Sequence, residues 1–260
     1  MEADYIKAYW EQQGHTHLDS HWASWGDNWM IDLEIETIGT HLKDGNSVLD
    51  VGCANGYSTF KQAQAHQLDS ITGVDFSANM IQAALHSKER NPTLTPTNFE
   101  IGDVRNLRFP ENTFDVVYTT RVIINLPTWE EQKIGIEECL RVTRPGGKAI
   151  FSEGFWEPLM LLNAMRALKQ LPPLVEHDFN RYIKISKLEE YLQEKGLAYH
   201  WDDFSSIYYL GSRFLREIVT NPNAYPGFTN PINKLFFEIQ KNYSGGGFGV
   251  QQAIVITKPA

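Results

Sequence analysis

At 260 residues the chain is long enough for one large α/β domain, or for a domain carrying an elaborate insertion. Its 42% hydrophobic and 21% charged residues are ordinary for a globular protein, and no stretch approaches the roughly 18 apolar residues of a membrane span. A formal net charge of −9 weighs against a nucleic-acid substrate, whose phosphates favour a basic face.

Residues 1–29 are polar yet dense in aromatic rings: Tyr5, Tyr9, Trp10, Trp22, Trp25 and Trp29. Ile31, Ile35, Ile38 and Leu42 then recur at helical spacing up to Asp44-Gly45. Residues 1–46 are therefore read as an aromatic-rich lid followed by one helix, and 47–260 as the main domain. Strand and helix signals alternate from there. Ser47–Val51 predicts a strand buried on both faces, Tyr57–Ala65 a helix, Ile71–Asp75 a strand, and Ala78–Ser87 a helix opened by Ser77. Phe99–Gly102 and Phe114–Thr119 predict further strands. Thr128 and Glu131 form a capping box for a helix that stops at Arg144-Pro145-Gly146-Gly147, before a strand over Lys148–Ser152. This rhythm predicts a doubly wound, mostly parallel sheet with helices on both faces.

Beyond Glu153 the rhythm changes. Helices are predicted over Leu159–Leu171, from a second capping box (Ser186 and Glu189) to Gly196, over Tyr208–Val219 and over Ile232–Tyr243. Strands are predicted over Leu197–Phe204 and Gly249–Thr257, and residues 158–178 and 205–242 read as helical additions over the sheet edge. Cys53 and Cys139 fall in a turn and a predicted helix, which disfavours a disulfide and implies a reducing cytoplasm. The start Met1-Glu2-Ala3-Asp4 carries no basic-then-apolar leader, so neither export nor a membrane anchor is expected.

The chemistry centres on Asp50-Val51-Gly52-Cys53-Ala54-Asn55-Gly56, where a strand turns into a helix through small residues. Such a turn lets a ligand lie on bare backbone at a helix N-terminus. Asp75 ends the second strand, where a carboxylate can accept both hydroxyls of a ribose. Asp103 ends the third, where an acid suits an adenine amino group. Single acids at strand ends commonly cap turns, but three at matching tips outline a nucleotide site.

Over residues 47–155 these motifs, in this order, resemble the class I S-adenosylmethionine-dependent methyltransferases. Asp50 to Gly56 resembles the family's acid-x-Gly-x-Gly-x-Gly turn, with Ala54 in place of the middle glycine. Gly73-Val74-Asp75-Phe76-Ser77, followed by Met80, resembles the ribose segment, and Gly102-Asp103-Val104 the adenine segment. Phe114-Asp115-Val116-Val117 and Leu140–Gly147 resemble the fourth strand and the turn before the fifth. The resemblance implies a seven-stranded Rossmann-like sheet and S-adenosylmethionine as cofactor. It places the methionine part on the backbone around Asp50, Gly52, Cys53, Ala54 and Gly56, the ribose on Asp75, and the adenine on Phe76, Asp103 and the Val104 amide. Met80 and Thr120 complete the implied cofactor set. Ala54 would need φ > 0, at about 1 kcal/mol or more.

The segment Thr119–Leu126 would run under the methyl donor, with Arg121 and Asn125 as candidate catalytic residues. An arginine there implies an anionic group on the acceptor, although pairing with a nearby acid is the competing reading. Tyr9 and Trp25 are the further substrate candidates, and Arg181, Tyr182, Tyr208 and Tyr209 are weaker ones. His15, His17 and His21 offer no fixed scaffold for a metal, and none is expected. A base among these histidines, His177 or Glu153 stays open. The expected activity is methyl transfer from S-adenosylmethionine to an amine, hydroxyl or phosphate oxygen of a small polar metabolite, with no nucleic-acid or membrane partner. A nicotinamide-dependent oxidoreductase is the alternative enzyme, although it would want Gly-x-Gly-x-x-Gly. A cofactor-binding scaffold without catalysis is the other alternative.

Overall fold

The computed structural model describes residues 3–17, 23, 25–90, 96–221 and 227–260, so Trp22 and His21 lie outside the described residues, as does the His17 side chain. The sheet comprises β1 (Ser47–Val51), β2 (Ser70–Asp75), β3 (Thr97–Ile101), β4 (Phe114–Thr120), β5 (Thr143–Gly154), β6 (Ala198–Asp202) and β7 (Gln251–Thr257), in the order β3-β2-β1-β4-β5-β7-β6. β7 runs antiparallel to β5 and β6, and the remaining pairings are parallel.

Side-chain alternation divides the core in two. Val48, Val116, Tyr118, Ile150 and Val255 bury one face of the sheet, while Leu49, Val117, Ala149, Phe151 and Ile254 bury the other. The first face carries α2 (Asn28–Gly39), α6 (Trp156–Leu168), α8 (Ser206–Leu210) and α10 (Asn233–Gln240); the second carries α5 (Trp129–Val142) and α7 (Ile185–Glu194). The connections leave β1 in opposite directions, towards β2 and β4. A crevice therefore opens at the carboxyl ends of β1 and β4.

The helices between β1 and β5 sit where the sequence predicts them. Gly56 stands before α3 (Tyr57–Ala65), Ser77 accepts from the Met80 amide at the start of α4 (Ala78–Glu89), and Thr128 accepts from the Glu131 amide at the start of α5. Three expectations elsewhere need correction. The polar lead segment contains a helix, α1 (Ala3–His17), and the next helix closes at Gly39 rather than near Asp44. The second capping box does not form: α7 starts behind Lys184, and Glu157 accepts from the Ile185 and Ser186 amides instead. The helix predicted over 208–219 divides into α8, a π-helical turn over Gly211–Leu215, and α9 (Arg216–Val219). No described helix is long and apolar enough to cross a membrane.

Candidate active site

Backbone forms the floor of the crevice. The Gly52 and Cys53 amides both donate to the Val74 carbonyl, at 2.7 and 3.0 Å, which folds the chain sharply off β1. Gly52 has φ +75°, and a Cβ built there would stand 2.1 Å from Val122 Cγ2, so the position has no room for a side chain. Ala54 takes φ 48°, the conformation that its glycine-like place demands. Its amide donates to Asp75 Oδ2 at 2.9 Å, while Asp75 Oδ1 accepts from the Ser77 amide at 2.9 Å. Each carboxylate oxygen keeps a lone pair for a ligand. Burial pushes the Asp75 carboxyl up to about 6 against these two donors.

Asp50 is buried at the tip of β1, with Oδ2 accepting from Thr59 Oγ1 at 2.6 Å. Its Oδ1 and the Tyr118 hydroxyl make no close hydrogen bond to any other group, and they act on one another, the phenol favouring the Asp50 carboxylate and the carboxylate raising the phenol's pKa. Burial raises Asp50 itself to about 7. Asp50 borders the cavity, and a buried carboxylate there fits a cationic or hydrogen-donating ligand. Cys53 is buried and its thiol is pushed well up, so it acts here as a small apolar wall.

These groups line one cavity with about 1090 Å³ free of protein atoms, its open mouth included. Asp50, Gly52, Cys53, Ala54, Asp75, Phe76, Asp103, Val104, Thr120, Arg121 and Asn125 all border it, whereas Gly56, Met80, Tyr9 and Trp25 do not. Gly56 supports the turn, with its amide bonded to the Cys53 carbonyl, and Met80 is fully buried in the first turn of α4. Asp103 is already engaged: its carboxylate accepts from Arg105 Nε at 3.0 Å and Nη2 at 2.7 Å, and Arg105 reaches on to Glu131. That ion pair holds the Asp103 carboxyl below its usual range.

The mouth is covered by α1. Ile6 and Trp10 line the cavity, and Trp10 Nε1 donates to Asn125 Oδ1 at 3.0 Å. Glu11 caps α4 from outside, accepting from the Ala78 and Asn79 amides at 2.9 Å each. Tyr9 backs this contact, 4.9 Å from the Phe179 ring and 5.6 Å from His177. Trp10 is one of the rings that the sequence assigns to the lid, whereas Ile6 and Glu11 were overlooked, and the four-residue step from Ile6 to Trp10 was the signal that could have found Ile6.

Below the cavity the segment after β4 is fixed from behind. Glu153 is fully buried and accepts from Thr119 Oγ1 at 2.7 Å and from the amides of Val122, Ile123 and Ile124 at 3.1 to 3.2 Å. Burial nevertheless lifts it to about 7. With four donors on its oxygens it positions the segment and touches nothing in the cavity. Arg121, at φ 58°, donates from Nη1 to the buried Glu34 at 2.5 Å and lies 5.0 Å over the Trp25 ring. Asn125 spans the two sides, accepting from Trp10 and donating to Asn180 at 3.0 Å.

Residues 48–147 match the family model described as a methyltransferase domain. Over those residues the chain carries a methyltransferase domain. The chain is 33% identical over 113 residues to a phosphoethanolamine N-methyltransferase of Triticum aestivum, covering 43% of this chain and 21% of that protein. It is 28% identical over 156 residues to a ubiquinone biosynthesis O-methyltransferase of Coxiella burnetii, covering 59% and 64%. The chain thus spans only about a fifth of the length of the first of these relatives.

Among solved structures, magnesium protoporphyrin IX methyltransferase of Synechocystis superposes with a TM-score of 0.61 at 15% identity, over 99% of this chain and 100% of that one. Phosphoethanolamine N-methyltransferase 2 of Haemonchus contortus, solved with phosphomonomethylethanolamine and S-adenosylhomocysteine, superposes with 0.59 at 15% identity, over 98% and 60%. At these identities the likeness is one of fold.

The cradle of the methyltransferase domain fits S-adenosylmethionine on two independent observations: the bare backbone at Gly52 and the buried carboxylates of Asp50 and Asp75 on the cavity wall. A further group converges away from it, where His41 Nε2 meets Asp202 Oδ2 at 2.6 Å with His200 nearby. There the Lys148 ammonium donates to His41 Nδ1 at 3.1 Å, leaving the Nε2 proton for Asp202. That order is a hydrogen-bonded relay, with the ring nitrogens already used.

Proposed function

We propose that this protein transfers a methyl group from S-adenosylmethionine to an amine nitrogen, or to a hydroxyl or phosphate oxygen, of a small polar metabolite that carries an anionic group. The observation that carries the reading is the single cavity bordered by Asp75 at one end and by Arg121 and Asn125 at the other. Asp75 would accept from the ribose hydroxyls, Phe76 would pack on the adenine, and the Val104 amide with the Asp103–Arg105 pair would read its edge. Gly52, Cys53 and Ala54 would leave backbone against the methionine part, with Asp50 Oδ1 facing positive charge. Bound there, the sulfonium supplies an activated methyl. In-line attack on it needs alignment and the exclusion of water more than proton chemistry.

Alignment falls to the Thr120–Asn125 segment and to Glu153 behind it. Exclusion of water falls to α1, which acts as a lid through Trp10 and Asn125 with Tyr9 packed behind. Trp25 would support Arg121 from below. The relatives' names include both an N- and an O-methyltransferase, which supports leaving both acceptor atoms in play. The net charge of −9 supports a small-molecule partner over a nucleic acid. The two free, buried cysteines support a cytoplasmic setting.

Calorimetry with S-adenosylhomocysteine tests the donor half. The folded protein binds it, and Asp75→Ala weakens binding by about 2–4 kcal/mol, the worth of one or two charge-assisted hydrogen bonds. A folded wild type that ignores this ligand but binds a nicotinamide dinucleotide would overturn the reading. Radiolabelled methyl transfer to a panel of amines and alcohols bearing carboxylate or phosphate then separates an enzyme from a scaffold.

A further inference from the structure

Strand register decides what stands beside Asp50. Its partner on β2 is Gly73 and its partner on β4 is Tyr118. Register partners carry their side chains on the same face of the sheet, with the strands about 5 Å apart. Gly73 contributes no side chain, and Cys53 Sγ lies 2.8 Å from where its Cβ would be. The Tyr118 ring fills the other flank, fully buried on the face that holds Val48 and Val116. From α3, Thr59 donates through Oγ1 to Asp50 Oδ2 at 2.6 Å. Asp50 borders the cavity, whereas Thr59 and Tyr118 do not, so the two hydroxyls stand behind the carboxylate that a ligand would meet.

Neutral groups serve this carboxylate. Asp103 is paired with Arg105 at 2.7 Å, whereas among the described residues Asp50 has no ion-pair partner. Burial disfavours its anion; Thr59 and Tyr118 work against that, while Asp75 and Glu34 add to it. Glu34 is itself paired with Arg121, and the Cys53 thiol is pushed well up and so carries no charge at neutral pH. The Tyr118 hydroxyl and Asp50 Oδ1 make no close hydrogen bond to any other group, so each is the other's available partner. A phenylalanine would fill the same core space without burying a hydroxyl, which is costly unless it serves a partner. The carboxylate is that partner.

We propose that Thr59 and Tyr118 are positioning residues of the donor site, whose hydroxyls hold the Asp50 carboxylate in place for the ammonium of the donor's methionine part. This role rests on the methyltransferase reading of the cavity, and it explains how a buried carboxylate there keeps a charge to offer. A guanidinium in the same place would fix the carboxylate equally well but cancel the charge that a cationic ligand needs. Two hydroxyls fix it from the neighbouring strand and the neighbouring helix and leave that charge intact. An ammonium reaching it from the cavity then completes the set with a charge-assisted hydrogen bond. Each carboxylate oxygen accepts more than one hydrogen bond, so the positioning bonds and the ligand do not compete.

Calorimetry on the full chain compares S-adenosylhomocysteine, which carries the ammonium, with 5′-methylthioadenosine, which keeps adenosine and sulfur but lacks the amino-acid end. Tyr118→Phe and Thr59→Val each weaken S-adenosylhomocysteine about 10-fold at neutral pH and leave 5′-methylthioadenosine within about two-fold. Each also moves the pH midpoint of S-adenosylhomocysteine affinity upward, because Asp50 ionises less readily without the hydroxyl. In an Asp50→Asn background the same changes cost less than about two-fold more, since the group they act through is gone. A merely structural role would weaken both ligands alike. That result, unchanged S-adenosylhomocysteine affinity in both variants, or an undiminished loss in the Asp50→Asn background overturns the proposal and leaves the donor site standing. A folded wild type that binds neither ligand removes the methyltransferase reading, and this role with it.

Discussion

The two ends of the cavity are built in different ways. At the donor end each group comes from a strand tip or from the few residues after it: Asp50 and Gly52 after β1, Asp75 and Phe76 after β2, Asp103 and Val104 after β3. Their partners are local too, as with Asp75, which bonds Ser77 two residues on and Ala54 across one strand pairing. At the acceptor end the groups arrive from afar. Arg121 is neutralised by Glu34, 87 residues away, and Asn125 joins Trp10, 115 residues before it, to Asn180, 55 residues after it. A site written in short turns is specified by sequence spacing, whereas a site assembled from long-range contacts is specified only by the packed fold.

The sharpest way to break that comparison is Gly52→Ala. The new Cβ would stand 2.1 Å from Val122 Cγ2 at φ +75°, so strain and overpacking together cost about 3 kcal/mol. Val122 belongs to the segment that Glu153 holds, and so the damage would spread from the donor end to the acceptor end. Urea unfolding should show the lost stability, and S-adenosylhomocysteine binding should fall at least ~100-fold, which corresponds to about 2.7 kcal/mol. An unchanged midpoint and affinity would mean that the turn is not the donor cradle.

A second effect, of intermediate size, comes from pH and runs in opposite directions for ligand and fold. Asp75 at about 6 and Asp50 at about 7 must be ionised to serve a hydrogen-donating and cationic ligand. Affinity for S-adenosylhomocysteine should therefore tighten from pH 5 to 8, with protons released on binding. The same carboxyls, with Glu153 at about 7, hold protons more firmly folded than unfolded, where their values are near 3.8 for aspartate and 4.5 for glutamate. The stability they contribute is thus full at low pH and is lost as pH rises through 6 to 7. Calorimetry in buffers of different ionisation enthalpy counts the protons, and Asp75→Asn should erase the step near pH 6. A flat affinity profile in the wild type would deny these acids a part in binding.

How much was legible follows from the same contrast. β1 to β5, the turn after β1 and the acids at three tips were readable because buried strands, small-residue turns and side-chain caps are local signals. Ala54 carried its expected strain, at φ 48°, and the amide bond to Asp75 helps to hold it there. Other features were hidden for physical reasons. α1 has little apolar patterning, since much of its docking is ionic, through Glu11 on the amides that open α4. Ser186 and Glu189 match a capping box, but Glu157, 29 residues earlier than Ser186, reaches those amides first. The free-standing look of Arg121 in the sequence conceals Glu34, 87 residues away. The π-helical turn leaves no periodic trace of its own, because its residues are those of an ordinary amphipathic helix.

The smallest predicted effect isolates torsion from place. Gly196 closes α7 at φ +65°, much the same backbone state as Gly52, yet a Cβ there would meet nothing within 4 Å. Gly196→Ala should therefore cost only the left-handed penalty, about 1 kcal/mol, visible as a modest shift in the urea midpoint. It should leave S-adenosylhomocysteine affinity within error of wild type, because α7 packs on the sheet face and borders no part of the cavity. If it impaired binding as Gly52→Ala does, then general loss of stability rather than the close approach of Val122 would explain the larger effect, and the donor turn would lose its special standing.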